Sequence, residues 1–180
     1  MRLVSAGIAV LCLAGALCAR AATEASPSCP MQKGRGVAYQ SVSSKDYLEV
    51  TIGSGPCHAA TLTIVIRSDT GQILYSYVAP YKQHTPGDWQ SAEVGKEAGW
   101  FVDGLIKDGV GSTSELPPWA PPEKYEQEHS SAIIVSREEY EALRAKPRPL
   151  FSHATYHEGW KMVVFDPKAG ESIVVVEGGT

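Results

Sequence analysis

Two histidines and a glutamate, His153-x-x-x-His157-Glu158, are the chain's nearest approach to a metal-binding pattern. On a helix, a spacing of four would hold both imidazoles over one ion. Pro147, Pro149, Gly159 and the aromatic and β-branched neighbours favour a strand over 150–157 instead. Four strand residues span about 13 Å, too far for two ligands to share zinc. His153 and His157 are therefore expected to be half-exposed strand residues, a metal site is the weaker alternative, and no cofactor is expected. Ser54 sits between Gly53 and Gly55 ahead of Pro56, which is turn chemistry, and no G-x-S-x-G elbow is present. Neither a phosphate loop nor a dinucleotide fingerprint occurs. Glu138, Glu139 and Glu141 beside Arg137 and Arg144 fit a solvated helix face with i,i+3 and i,i+4 support. No catalytic residue is assigned.

Cysteine chemistry depends on the compartment. Met1 and Arg2 precede an apolar run over 3–17, and Ala19-Arg20-Ala21 supplies small residues around a cleavage point. This is the pattern of a secretory signal peptide over 1–22. The run is shorter than the roughly 20 residues a spanning helix needs, so no stable membrane insertion is expected. Lipidation at Cys18 stays open, although Leu17 before it is bulkier than that processing prefers. Cleavage removes Cys12 and Cys18 from the chain's 4 cysteines and leaves Cys29 and Cys57. In an oxidising space these are expected to pair. The competing reading, a reactive Cys57 beside His58, would expose a thiolate to oxidation. The expected location is periplasmic or secreted.

The 180 residues carry a formal charge of −4, and loss of Arg2 and Arg20 with the leader makes it more negative by two. Such a chain lacks the cationic surface that releases counterions from nucleic acid, so DNA and RNA are excluded as expected partners. A protein partner is expected, and a basic one, because opposite charge steers encounter. Tyr81, His84 and Trp89 lie in a segment bounded by Pro80, Pro86 and Gly87, and Trp119 lies in a proline-rich stretch. Such side chains bury large area while keeping a polar tip, as interfaces require. These four are the expected binding residues. The layout is similar to that of small periplasmic inhibitors and immunity proteins that block cell-wall hydrolases, which implies a binding or inhibitory module without catalysis. The S-G-x-x-Y loop of several lysozyme inhibitors is missing. The alternatives are a cell-envelope hydrolase using a histidine and a carboxylate, or a structural envelope protein.

The elements that must position these residues follow from hydrophobic periodicity. Residues 23–45 show none and read as a mobile segment tied down at Cys29. Leu48, Val50 and Ile52 alternate with polar neighbours, as do Leu62, Ile64 and Ile66, and Asp69-Thr70-Gly71 turns the chain into a further strand over 72–79. Val94, Ala98, Val102 and Leu105 recur at helical spacing, ending near Gly109. Gly95, Gly99 and Gly104 weaken that helix, which suggests close packing on a sheet. Residues 111–128 form a proline-rich strap over Trp119. Ser136 and Glu139 make a capping box for a short helix stopped by Pro147. Two final strands flank Asp166-Pro-Lys-Ala-Gly170, and their consecutive apolar residues predict cover on both faces. The expected fold is one α+β domain over 46–180, an antiparallel sheet of about five to six strands carrying one longer and one short helix.

Overall fold

The computed structural model describes residues 27–85, 89, 91 and 93–179. The expected leader 1–22, with Cys12 and Cys18, and the loop residues Pro86 and Gly87 lie outside the described residues. In chain order the strands and helices are β1 (Met31–Val37), β2 (Asp46–Ile52), β3 (Thr61–Arg67), β4 (Ile73–Pro80), α1 (Val94–Asp108), β5 (Val110–Ser112), α2 (Pro122–His129), β6 (Ser131–Ile133), α3 (Arg137–Ala145), β7 (Pro149–Ala154), β8 (Trp160–Asp166) and β9 (Glu171–Gly178).

The class is α+β, with the strands divided between two antiparallel sheets. The first four strands form a meander, β1-β2-β3-β4, and the second sheet has the order β5-β7-β8-β9-β6. The chain leaves the first sheet at Pro80 and returns through α1 to β5, which pairs with β7 rather than extending β4. This connection turns what periodicity suggests is one sheet into two.

In the first sheet one face is apolar and one polar. Leu48, Val50, Ile52, Leu62, Ile64 and Ile66 are buried on one side, against Val94, Ala98, Val102 and Leu105 of α1. Residues 31–37, expected to be mobile, form β1 instead. Met31 pairs with Ile52 and Val37 with Asp46, while Lys33 forms an ion pair with Asp103 and Arg35 donates to the Lys107 carbonyl at 3.1 Å, both on α1. The Cys29–Cys57 disulfide anchors the start of this strand to the turn after β2. Between β1 and β2 the buried Asp46 carboxylate accepts from the amides of Tyr39 and Gln40 at 3.0 and 2.8 Å, closing the connection.

The second sheet is covered on both sides, as its unbroken apolar runs predict. Phe151, Val163 and Phe165 join the core beneath the first sheet. Leu150, Val164, Val175 and Val176 face a second core made with Leu116, Tyr125, Tyr140 and Leu143. α3 carries the expected capping box, Ser136 with Glu139. The strap holds a helix not expected there, α2, which starts at Pro122, where a missing amide donor costs nothing. The proline-rich carbonyls before it are satisfied from α3: Tyr140 donates to Pro117 at 3.0 Å and Arg144 to Leu116 at 3.0 Å. Among the described residues no helix is long and apolar enough to cross a membrane.

Candidate functional site

The residues singled out by sequence fall in three places. His84 and His153 meet at the junction of the two sheets. A bulge between Ile66 and Arg67 shifts β4 so that Tyr75 and Tyr77 point from the first sheet toward β7 of the second. Tyr75 bonds His153 Nε2 at 2.5 Å, and His153 Nδ1 lies 2.7 Å from the Ala154 carbonyl. A carbonyl can only accept, so Nδ1 carries the proton, and Nε2 accepts from the Tyr75 hydroxyl. Tyr77 donates to the Thr155 carbonyl at 2.6 Å, which leaves its oxygen to accept from His84 Nε2 at 3.4 Å. Burial holds both imidazoles down to a pKa of about 4; at His153 the bond to Ala154 opposes this, and Lys161 and His84 add to it. Burial also raises Tyr75 and Tyr77 above the ordinary tyrosine value. The junction is a neutral, hydrogen-bonded clasp. His153, only 2% exposed, offers no face to a substrate.

The expectation of two half-exposed strand histidines is therefore corrected. β7 ends at Ala154, so His153 is a core residue, while His157 is exposed in the tight loop closed by Thr155 and Gly159. Among the described residues no three His, Cys, Asp or Glu side chains gather to hold a metal.

Tyr81, His84 and Trp89 do not form an exposed aromatic surface. Tyr81 is fully buried in a short 3-10 turn with its ring 5.9 Å from Trp89 and 5.7 Å from Phe101, and the His84 ring lies 5.6 Å from Phe101, tilted by 53°. Trp89 is half-buried against the same core. Tyr81 and His84 are folded back onto Phe101 of α1. Trp119 is half-buried between the second core and the Arg137 guanidinium, 4.5 Å from its ring centroid.

A different place offers a ligand-sized recess. At the end of the second sheet, α2, β6, β9 and the β7–β8 loop enclose a groove of about 380 Å³ lined by Glu126, Ser130, Ser131, Tyr156, Glu177 and Gly179, among others. Ser130 ends α2 in the left-handed region, φ 48°, and this turn sends the chain into β6 alongside β9. Gly178 is needed there, because a Cβ on it would lie 2.5 Å from the Trp160 ring. Glu126 and Glu177 are exposed and have no ion-pair partner among the described residues. Lys161, the cross-strand neighbour of Glu177, extends over the Tyr77 ring instead, 5.7 Å from its centroid. Ser131 is 4% exposed, and its hydroxyl has no hydrogen-bond partner among the described residues. Sequence reasoning missed this groove because its two carboxylates are remote in the chain and meet only through β6–β9 pairing. The Gly178-Gly179 pair beside Glu177 was the one local hint.

Comparison with protein-family models, with curated proteins and with solved structures finds no match.

Proposed function

We propose that this chain is a periplasmic or secreted non-catalytic binding or inhibitory module whose partner is a basic protein such as a cell-wall hydrolase or toxin. The observation that carries this reading is where the chain puts its ionisable groups. Of the 5 histidines, His84 and His153 are spent inside as neutral partners of Tyr77 and Tyr75, while His58, His129 and His157 are exposed at separate places in the chain. Carboxylates occupy the outside: on α2, Glu123, Glu126 and Glu128 are all exposed, and only Glu128 has a lysine partner, Lys124. General acid–base catalysis needs a titratable group within reach of substrate, whereas electrostatic capture needs exposed charge of one sign. The disulfide supports an oxidising compartment. With burial of Tyr81 and His84, the contact surface moves from the Tyr81–Trp89 segment to the acidic end of the second sheet, with Trp119 on the flanking strap.

The test is association of the leader-free protein with a panel of purified cell-wall hydrolases of basic and acidic isoelectric point, followed by surface plasmon resonance. Binding to a basic member, with an on-rate that falls as salt rises, supports the reading. Equal binding to acidic members, or hydrolysis of cell-wall material by the protein alone, overturns it.

A further inference from the structure

We infer that the groove between α2, β6 and β9 receives an arginine side chain of the partner, an inference that rests on the binding-module reading above. Glu126 and Glu177 supply two carboxylates that lack an ion-pair partner among the described residues, and Tyr156 supplies an aromatic ring that is 39% exposed. Ser131 is a lining residue of the same groove; it is 4% exposed, and its hydroxyl is buried and without a partner among the described residues. A buried hydroxyl without a partner costs free energy that a ligand donor would recover. Every one of these features calls for a donor-rich cation. Carboxylates and a serine oxygen accept hydrogen bonds, and a tyrosine face attracts positive charge.

A divalent metal fits poorly, because the groove offers two carboxylates and no third ligating side chain of the His, Cys, Asp or Glu kind. Guanidinium fits better than ammonium. It is planar, carries five donors that can be shared between separate carboxylates, is weakly hydrated, and stacks on aromatic rings. Lys161, the cross-strand neighbour of Glu177, has its ammonium turned toward Tyr77. Glu126 and Glu177 line the groove from separate elements, so the fold rather than the partner brings their backbone positions together before binding.

The test is titration of the leader-free protein with hexa-arginine, hexa-lysine and hexa-glutamine peptides, by calorimetry and by amide NMR shifts. Hexa-arginine is expected to bind several-fold more tightly than hexa-lysine, with shifts at Ser131, Tyr156 and Gly178. Glu126→Gln with Glu177→Gln is expected to weaken it at least tenfold. Glu49→Gln with Glu138→Gln, the same charge change elsewhere, is expected to weaken it less than threefold. Glu126, Glu177 and Glu138 are exposed and Glu49 is half-buried, and thermal unfolding of each variant against the wild type shows whether folding is intact. Equal affinity for lysine and arginine peptides, or equal losses in the two double variants, overturns the arginine pocket. Any basic hydrolase that binds in the panel experiment is measured with the same variants. Retained hydrolase binding by Glu126→Gln with Glu177→Gln would remove the pocket and leave the module reading standing. Absence of hydrolase binding in the wild type would remove the module reading itself.

Discussion

Tyr75 on the first sheet and His153 on the second are joined by one hydrogen bond, 2.5 Å from Oη to Nε2, in which the tyrosine donates and the imidazole accepts. The bond exists only while the imidazole is neutral, because a protonated ring has no lone pair to offer.

Acid should therefore loosen the sheet junction. Both His84 and His153 have folded-state pKa values of about 4, below the unfolded value of 6.5. Above pH 6.5 both states are neutral, and this source leaves stability constant. As pH falls from 6.5 toward 4, the unfolded chain takes up protons that the folded chain refuses, so stability drops, by up to a few kcal/mol for the pair. Chemical denaturation between pH 7.5 and 4 should show a flat region and then a fall. NMR of the imidazole protons should find both rings still neutral at pH 5.5. A His153 resonance that titrates near 6.5 in the folded protein would refute the clasp.

The Cys29–Cys57 bond ties β1 to the turn after β2 across a separation of 28 residues. On the chain-entropy estimate, a loop of this size is worth roughly 3 to 4 kcal/mol. Free-thiol titration of denatured, leader-free protein from an oxidising compartment should find no reactive thiol at these positions, and reduction should lower the melting temperature. Two reactive thiols per chain would remove both the bond and the argument for an oxidising compartment.

Trp89→Ala should lower stability. Its ring packs edge-on against the buried Tyr81, centroids 5.9 Å apart, within the cluster that includes α1. Truncating a half-buried aromatic of this kind costs about 1 to 3 kcal/mol. Partner binding, scaled for the fraction folded, should stay within threefold of the wild type. A variant with unchanged melting temperature that fails to bind would return Trp89 to the contact surface.

The burial of Tyr81 and His84 and the half-burial of Trp89 show where sequence stops being informative. Alternation at Leu48, Val50 and Ile52, and the Ser136–Glu139 box, are local signals, and the elements they announce are present. Whether a Pro/Gly-bounded loop points outward or folds back is decided by what waits for it, and here Phe101 of α1 does. β1 was invisible for a related reason. Its Lys33, Gly34, Arg35 and Gly36 carry no apolar period, and it is a strand because β2 pairs with it and Tyr47 lies across Gly34, where a Cβ would come within 2.5 Å of the tyrosine hydroxyl. α2 hid behind prolines and charges, with Tyr125 its one buried anchor. The acidic groove needed a topology that joins Glu126 to Glu177, and no local pattern encodes that.

Gly104→Ala should make the protein more stable. The three glycines within α1 suggested close packing of helix on sheet, and the geometry answers differently at each position. A Cβ at Gly95 would lie 3.9 Å from the Ser28 carbonyl oxygen, and one at Gly99 3.6 Å from the Met31 Cε, which are ordinary contact distances. At Gly104 nothing lies within 4 Å. The residue is in the helix interior, four positions before the last residue Asp108, with its backbone outside the positive-φ region. Alanine there removes unfolded-state entropy without a clash, a gain of about 0.5 to 1 kcal/mol. For a domain of this size that corresponds to a melting temperature higher by roughly 1 to 4 °C. Gly178→Ala is the matched opposite, since its new methyl would strike the Trp160 ring at 2.5 Å and should lower the melting temperature. A fall in stability for Gly104→Ala would mean that the space above this turn of α1 is occupied in the folded protein.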